Sequence, residues 1–251
     1  MISVLYIFYE LGQLSINSLQ DILVAGVDTT TATLVWALTL LAKNPKVMKK
    51  AQNEVRSLTG KKGKITEDDL HQLHYLKCII KETLRLQPPA PLLVPRETMK
   101  HCIIDGYHIY PKTQLLVNAW TIGRDPEYWE NPEEFIPERF TDSSIDFKGQ
   151  HFEFIPFGSG RRVCPGIQLG MVIVELTLAN LLCSFNWELP KGIKEEDIDM
   201  EGSLGITMHK KNALQLVATN YNYHHQWSFF ICRSCCCCCY CFCLCLIFYC
   251  F

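Results

Sequence analysis

The 251-residue sequence predicts a mainly α fold with small β-sheets. Long stretches carry apolar residues at helical spacing, at 18–43, 73–86 and 167–182. Short strand patterns fill the middle, with Asp105-Gly106 as a hairpin turn signal inside 102–116. Prolines punctuate between them, and Pro88-Pro89 stops the second helical stretch.

In the first helical stretch Ile22, Leu23, Val27, Leu34, Leu38 and Leu41 form the apolar repeat. Ala25-Gly26-Val27-Asp28-Thr29-Thr30 interrupts it. Glycine in mid-helix costs roughly 1 kcal/mol relative to alanine. Threonine competes for the helix carbonyls and bends the helix. A local violation of this kind marks either a functional segment or a polar face buried against neighbours.

In the second stretch Glu82 and Arg85 share a helix face at i, i+3 spacing. Taken alone, this is a surface ion pair worth under about 1 kcal/mol. A short apolar strand is expected at 92–94, followed by Pro95-Arg96-Glu97. His101 and His108 fall in the hairpin stretch and read as ordinary polar strand positions, neither with metal-ligand spacing to a partner.

Residues 157–166 read Phe-Gly-Ser-Gly-Arg-Arg-Val-Cys-Pro-Gly and run directly into the third helical stretch. Cys164 sits at the tip of a Gly-rich turn, facing a helix N-terminus. Unpaired N–H groups and the positive dipole end stabilise negative charge there, and a thiolate is a good metal ligand. Glycines allow the loop to pack flat against a planar group. Arg161 and Arg162 offer forked donors for carboxylates. The competing reading is a buried structural cysteine beside a basic turn.

Net charge is −2 and no basic stripe is present, so nothing suggests nucleic-acid binding. Ten of the 14 cysteines lie between residues 232 and 250, leaving Cys78, Cys102, Cys164 and Cys183 in the body of the chain. That is cytosolic cysteine usage, with no need for disulfides. Residues 1–14 form an atypical N-terminus whose apolar run is too short for a spanning helix. Residues 221–251 form a Cys-rich, low-complexity apolar tail, read as lying outside the fold in preference to a membrane anchor.

The run at 157–166 is similar to the haem-binding signature of the cytochrome P-450 superfamily at every fixed position. Residues 15–220 resemble the C-terminal part of that fold, from its oxygen helix to its closing strands. The resemblance implies a haem-thiolate monooxygenase holding heme b, with Cys164 as the axial iron ligand. Phe157, Gly158 and Gly166 would shape the cofactor loop, and Arg96 and Arg162 would reach the propionates. Ala25 and Gly26 would leave room for dioxygen, while Asp28 and Thr29 would deliver protons. Glu82, Arg85 and Arg139, the last from Pro137-Glu138-Arg139-Phe140, would form a structural triad. Leu92, Leu93, Val94 and Met208 would line the pocket wall or serve only the core.

The implied partners are NADPH–cytochrome P-450 reductase, supplying electrons from NADPH, and a small hydrophobic substrate, without nucleic acid. The implied location is the cytosolic face of the endoplasmic reticulum membrane. Residues 149–156 and 118–126 resemble plant enzymes of specialised metabolism. The family's N-terminal anchor, most of its substrate loops and a haem-gripping helix have no counterpart here, so the oxygen helix is expected to lose cover. The alternatives are an inactive fragment and a haem-thiolate enzyme that rearranges peroxides.

Overall fold

The computed structural model describes residues 2–59, 63–203 and 205–221, with side chains from residue 21 onward. Four helices build the core. Helix α1 (Ile2–Lys43) is continuous and starts well before the expected residue 18. Helix α2 (Pro45–Thr59) follows after a single residue, Asn44, whose side-chain amide donates to the Leu40 carbonyl at the end of α1. Pro45 suits the first position of a helix, where no backbone donor is needed. Helices α3 (His74–Leu86) and α5 (Ile167–Ser184) match the expected stretches to within two residues.

Helix α2 is an element that the expectations above lack. Its buried residues, Met48, Ala51, Gln52, Val55 and Thr59, repeat at three and four. This is an amphipathic signal of the ordinary kind. The core joins Ala37, Leu38 and Leu41 of α1 to Ala51 and Val55 of α2, Leu76 and Ile80 of α3, and Leu178 and Leu182 of α5. Polar groups fix the joints. Both Glu54 carboxylate oxygens accept backbone N–H groups at the start of α3, from Tyr75 at 2.7 Å and Leu76 at 2.9 Å. These donors lack partners within the helix, and a carboxylate there also suits the helix dipole. Buried Asn180 brackets Ile65, accepting from its N–H and donating to its carbonyl, each at 3.0 Å.

The strands form three antiparallel pairs. Strand β1 (Arg96–Glu97) pairs with β4 (Gln114–Leu115), and β2 (Cys102–Ile104) pairs with β3 (Tyr107–Ile109). Strand β5 (Phe185–Glu188) pairs with β6 (Val217–Asn220). Asp105 and Gly106 both take positive φ, as a tight two-residue turn demands. The hairpin is shorter than expected and ends at Ile109, because residues 114–115 return to β1. Residues 92–94 are not a strand. They form a turn in which Leu93 adopts φ 52, and pairing begins only at Arg96. A short helix α4 (Ala119–Ile122) leads into the long loop that crosses beneath α3.

Segment 21–43 of α1 and helix α5 are each apolar and long enough to cross a membrane, yet about half of each is buried in this core. By contrast Ile22, Leu23 and Val24 are exposed, in line with the expected loss of cover on this helix.

Glu175 of α5 is partly buried. Burial pushes its carboxyl above the ordinary range, with Lys77 pulling the other way. The raised value means that the folded state binds the proton more tightly than the unfolded chain. Glu175 therefore costs no stability below the unfolded carboxylate pKa and costs progressively more as pH rises through the folded value. Glu175→Gln is expected to raise the urea midpoint at pH 7 and to lose that gain below about pH 4. An equal gain at both pH values would contradict the assignment.

Candidate functional site

The cysteine loop is shaped by backbone geometry. Gly158 and Gly160 take φ of 73° and 72°, where side chains are strained. This folds the chain so that the Cys164 N–H donates to the Phe157 carbonyl at 3.0 Å, and Val163 donates to Gly160 at 3.1 Å. The Ser159 hydroxyl ties the loop to the Gly149 carbonyl at 2.7 Å. Phe157 is partly buried and meets the Phe147 ring edge-on, with centroids 5.5 Å apart.

Cys164 is an exposed free thiol, which removes the buried-cysteine reading. It stands two residues before Gly166, the cap of α5, and no side chain caps that helix end. A methyl group on Gly166 would lie 3.9 Å from the Cys164 sulfur. The glycine therefore keeps the thiol's flank clear.

Arg96 and Leu93 close one side of the loop. The Arg96 Nη2 donates to the Arg162 carbonyl at 3.4 Å. A methyl on Gly158 would meet Arg96 Nη2 and Leu93 Cδ1, both at 3.7 Å. The left-handed turn at Leu93 thus delivers its side chain to the cysteine loop, and Arg96 follows it. Arg162 is exposed. Met208 packs instead inside its own turn, beside Gly202, where an added Cβ would lie 2.9 Å from Met208 Cγ.

Helix α1 passes on the other side. Its Thr30 methyl and Gly170 of α5 approach closely, since a Cβ on Gly170 would be 3.9 Å from Thr30 Cγ2. Ala25 and Gly26 on α1, and Cys164 and Gly166 before α5, are all exposed. Both pairs lie within about two turns of that contact. Thr29, Thr30 and Thr31 donate their hydroxyls back to the carbonyls of Ala25, Gly26 and Val27, at 2.7, 2.6 and 2.7 Å. This is the threonine back-bonding anticipated from sequence. Asp28 pairs with His209 at 3.0 Å, a partner that sequence did not suggest.

Glu82, Arg85 and Arg139 come together under α3. The Glu82 and Arg85 side chains are fully buried, so the surface ion-pair reading does not hold. Arg85 grips Glu82 with two bonds of 2.8 Å, and Arg139 Nε adds a third at 3.0 Å. Arg85 also donates to the carbonyls of Gly123, Pro132 and Glu134, and Glu82 accepts the Ile136 N–H. Both guanidinium groups lie over the Trp129 ring, at 5.2 and 6.0 Å. Trp129 in turn touches Phe140 and Phe154, three residues before Phe157.

His101 and His108, expected as separate strand positions, form a pair. Their ring nitrogens lie 2.9 Å apart and their rings stack. The register explains this: Ile103 faces His108, which places His101 on the diagonal of the same face. Among the described residues no group of three or more metal-ligating side chains is gathered.

An exposed thiol before an uncapped helix end, flanked by glycines and arginines, is the arrangement expected from residues 157–166. Comparison with known proteins agrees. The cytochrome P450 family model matches residues 15–217. Cytochrome P450 71A1 of Persea americana is 61% identical over 201 residues, covering 80% of this chain and 40% of that protein. Desmethyl-deoxy-podophyllotoxin synthase of Sinopodophyllum hexandrum is 55% identical over 199 residues, 79% of this chain and 39% of that protein. A zebra fish cytochrome P450 solved with abiraterone superposes with TM-score 0.72 at 29% identity, covering 81% of this chain and 46% of the other. The chain belongs to the cytochrome P450 family and spans about 40% of the length of the curated relatives it matches.

The two kinds of loop glycine should respond differently to substitution. Gly158→Ala has room for its methyl but must hold a left-handed backbone, and is expected to cost about 1 kcal/mol. Gly166, at φ −92, carries no such strain, and Gly166→Ala should stay within about 0.5 kcal/mol of the parent in urea unfolding. Equal losses would show that backbone strain is not what the Gly158 position demands.

Proposed function

We propose that this chain carries the cofactor-binding part of a haem-thiolate monooxygenase. The observation that carries this reading is the exposed Cys164 thiol at the uncapped start of α5, inside a loop whose glycines keep its flank open. The residues present fit heme b. Cys164 Sγ would bind the iron. Phe157, Gly158 and Gly166 let the loop lie against the ring, and Arg96 and Arg162 are the donors for its two carboxylates. Thiolate-ligated haem supplies oxygen activation when bound, because the sulfur pushes electron density toward the iron.

The chain's own residues do the rest. Ala25 and Gly26 keep α1 slim and would leave room for a small ligand. Asp28 and Thr29 hold and pass protons at their carboxylate and hydroxyl oxygens. Glu82, Arg85 and Arg139 keep the cysteine loop in place. Exposed Val24, Leu92 and Val94 support an apolar substrate. Electrons come from NADPH through NADPH–cytochrome P-450 reductase, at the cytosolic face of the endoplasmic reticulum. The similarity to desmethyl-deoxy-podophyllotoxin synthase supports a specialised-metabolite substrate. The Asp28–Thr29 pair favours dioxygen chemistry over peroxide rearrangement, because oxygen activation is what requires delivered protons.

The test is a reduced, carbon-monoxide difference spectrum of the chain produced with haem supply. A strongly red-shifted Soret band is expected for the parent and its loss for Cys164→Ala. An unchanged band in Cys164→Ala, or no band in the parent, would overturn the reading.

A further inference from the structure

We propose that His209 is a positioning residue for Asp28, fixing the carboxylate that feeds protons to the oxygen site. This rests on the monooxygenase reading above. The pair joins residues 181 positions apart, with His209 Nε2 donating to Asp28 Oδ1 at 3.0 Å.

The turn that brings His209 there is held independently of the pair. Gly202 and Lys210 form a β-bridge. The Ser203 N–H and hydroxyl both donate to the His209 carbonyl, at 2.7 and 3.2 Å. The indole N–H of Trp36, a fully buried residue of α1, donates to the Met208 carbonyl at 2.9 Å. The Met208 N–H donates to Pro89 at 2.8 Å. His209 is therefore bracketed by fixed backbone, and α1 holds the same turn through Trp36, about two turns beyond Asp28.

Two arguments separate positioning from plain stability. First, the turn already has these anchors, and a partly exposed polar pair adds little, under about 1 kcal/mol. Second, the neighbouring cations are committed elsewhere. Lys210 pairs with Asp199 at 3.3 Å and Lys211 with Glu201 at 2.7 Å. In this basic run His209 is the residue turned to Asp28. A single fixed donor on Oδ1 selects one carboxylate orientation next to Thr29, which backbone bonding to Ala25 fixes in its own rotamer. An imidazole also remains in contact with solvent here, since its side chain is 32% exposed.

The experiment uses the full chain loaded with haem, as parent, His209→Ala, His209→Gln and Asp28→Asn. Nitrogen–proton spectra of the imidazoles come first. Asp28→Asn should move the His209 ring signals and leave those of His71 in place. Turnover of an alkoxycoumarin with NADPH and reductase comes second. His209→Ala should keep the reduced carbon-monoxide band but lose coupling of NADPH use to product by about ten-fold, and His209→Gln, which keeps a donor, should recover most of it. Unchanged coupling in His209→Ala with the band intact would overturn the inference while the haem reading stands. Loss of the band in the parent would instead sink the haem reading. Where turnover is absent, the ring signals decide: no response of His209 to Asp28→Asn overturns the pair.

Discussion

The structure depends on one buried carboxylate. Glu82 has no exposure to water, and an ionised carboxyl in that position is tolerable only if every lone pair is met. Two guanidinium groups and the Ile136 N–H meet them. Arg85 then has donors left over, and it spends them on carbonyls at 123, 132 and 134. Arg139 does the same for 130 and 131. A long irregular loop with no ladder of its own is thereby stitched to the underside of α3. Gly123 shows how close this is: a Cβ there would lie 2.6 Å from the Arg85 carbonyl. Planar, forked arginine donors suit this geometry, and lysine could not replace them.

The stitched loop reaches the cysteine through aromatic packing. Trp129 sits between the guanidinium groups and the buried Phe140 and Phe154 rings, and its indole N–H donates to the Glu153 carbonyl at 3.3 Å. Phe154 and Ile155 are buried, and the Gly158 N–H donates to Ile155 at 2.9 Å, opening the turn that ends at Cys164. Charge pairing, ring packing and loop geometry thus form one continuous path from α3 to the thiol. The other flank of the site is set by α1 and α5, which come within van der Waals reach of one another at Thr30 and Gly170.

How much of this the sequence reveals depends on the range of each interaction. Helices α1, α3 and α5, the hairpin turn and the cysteine loop are local patterns and were readable. Helix α2 was equally readable from Met48, Ala51, Val55 and Thr59, but nothing in the motifs draws attention to it. The diagonal His101–His108 contact follows from the Asp105-Gly106 register once the pairing is counted out. Other features are not local. Spacing shows that Glu82 and Arg85 share a face, yet not that the face is buried. The left-handed backbone at Leu93 replaces an expected strand, because the chain must turn there to bring its side chain and Arg96 to the loop. His209 meets Asp28 only through tertiary packing of a turn anchored by Trp36.

The most direct test of the path from triad to thiol is amide hydrogen exchange on Arg139→Gln. This variant removes one grip on Glu82 and the bonds to residues 130 and 131, at a cost of about 1–3 kcal/mol. Protection should fall by about ten-fold or more not only at residues 130–140 but also at Gly158 and Cys164, whose N–H groups are bonded within the loop. Loss confined to 130–140, with the cysteine loop as protected as in the parent, would contradict the account.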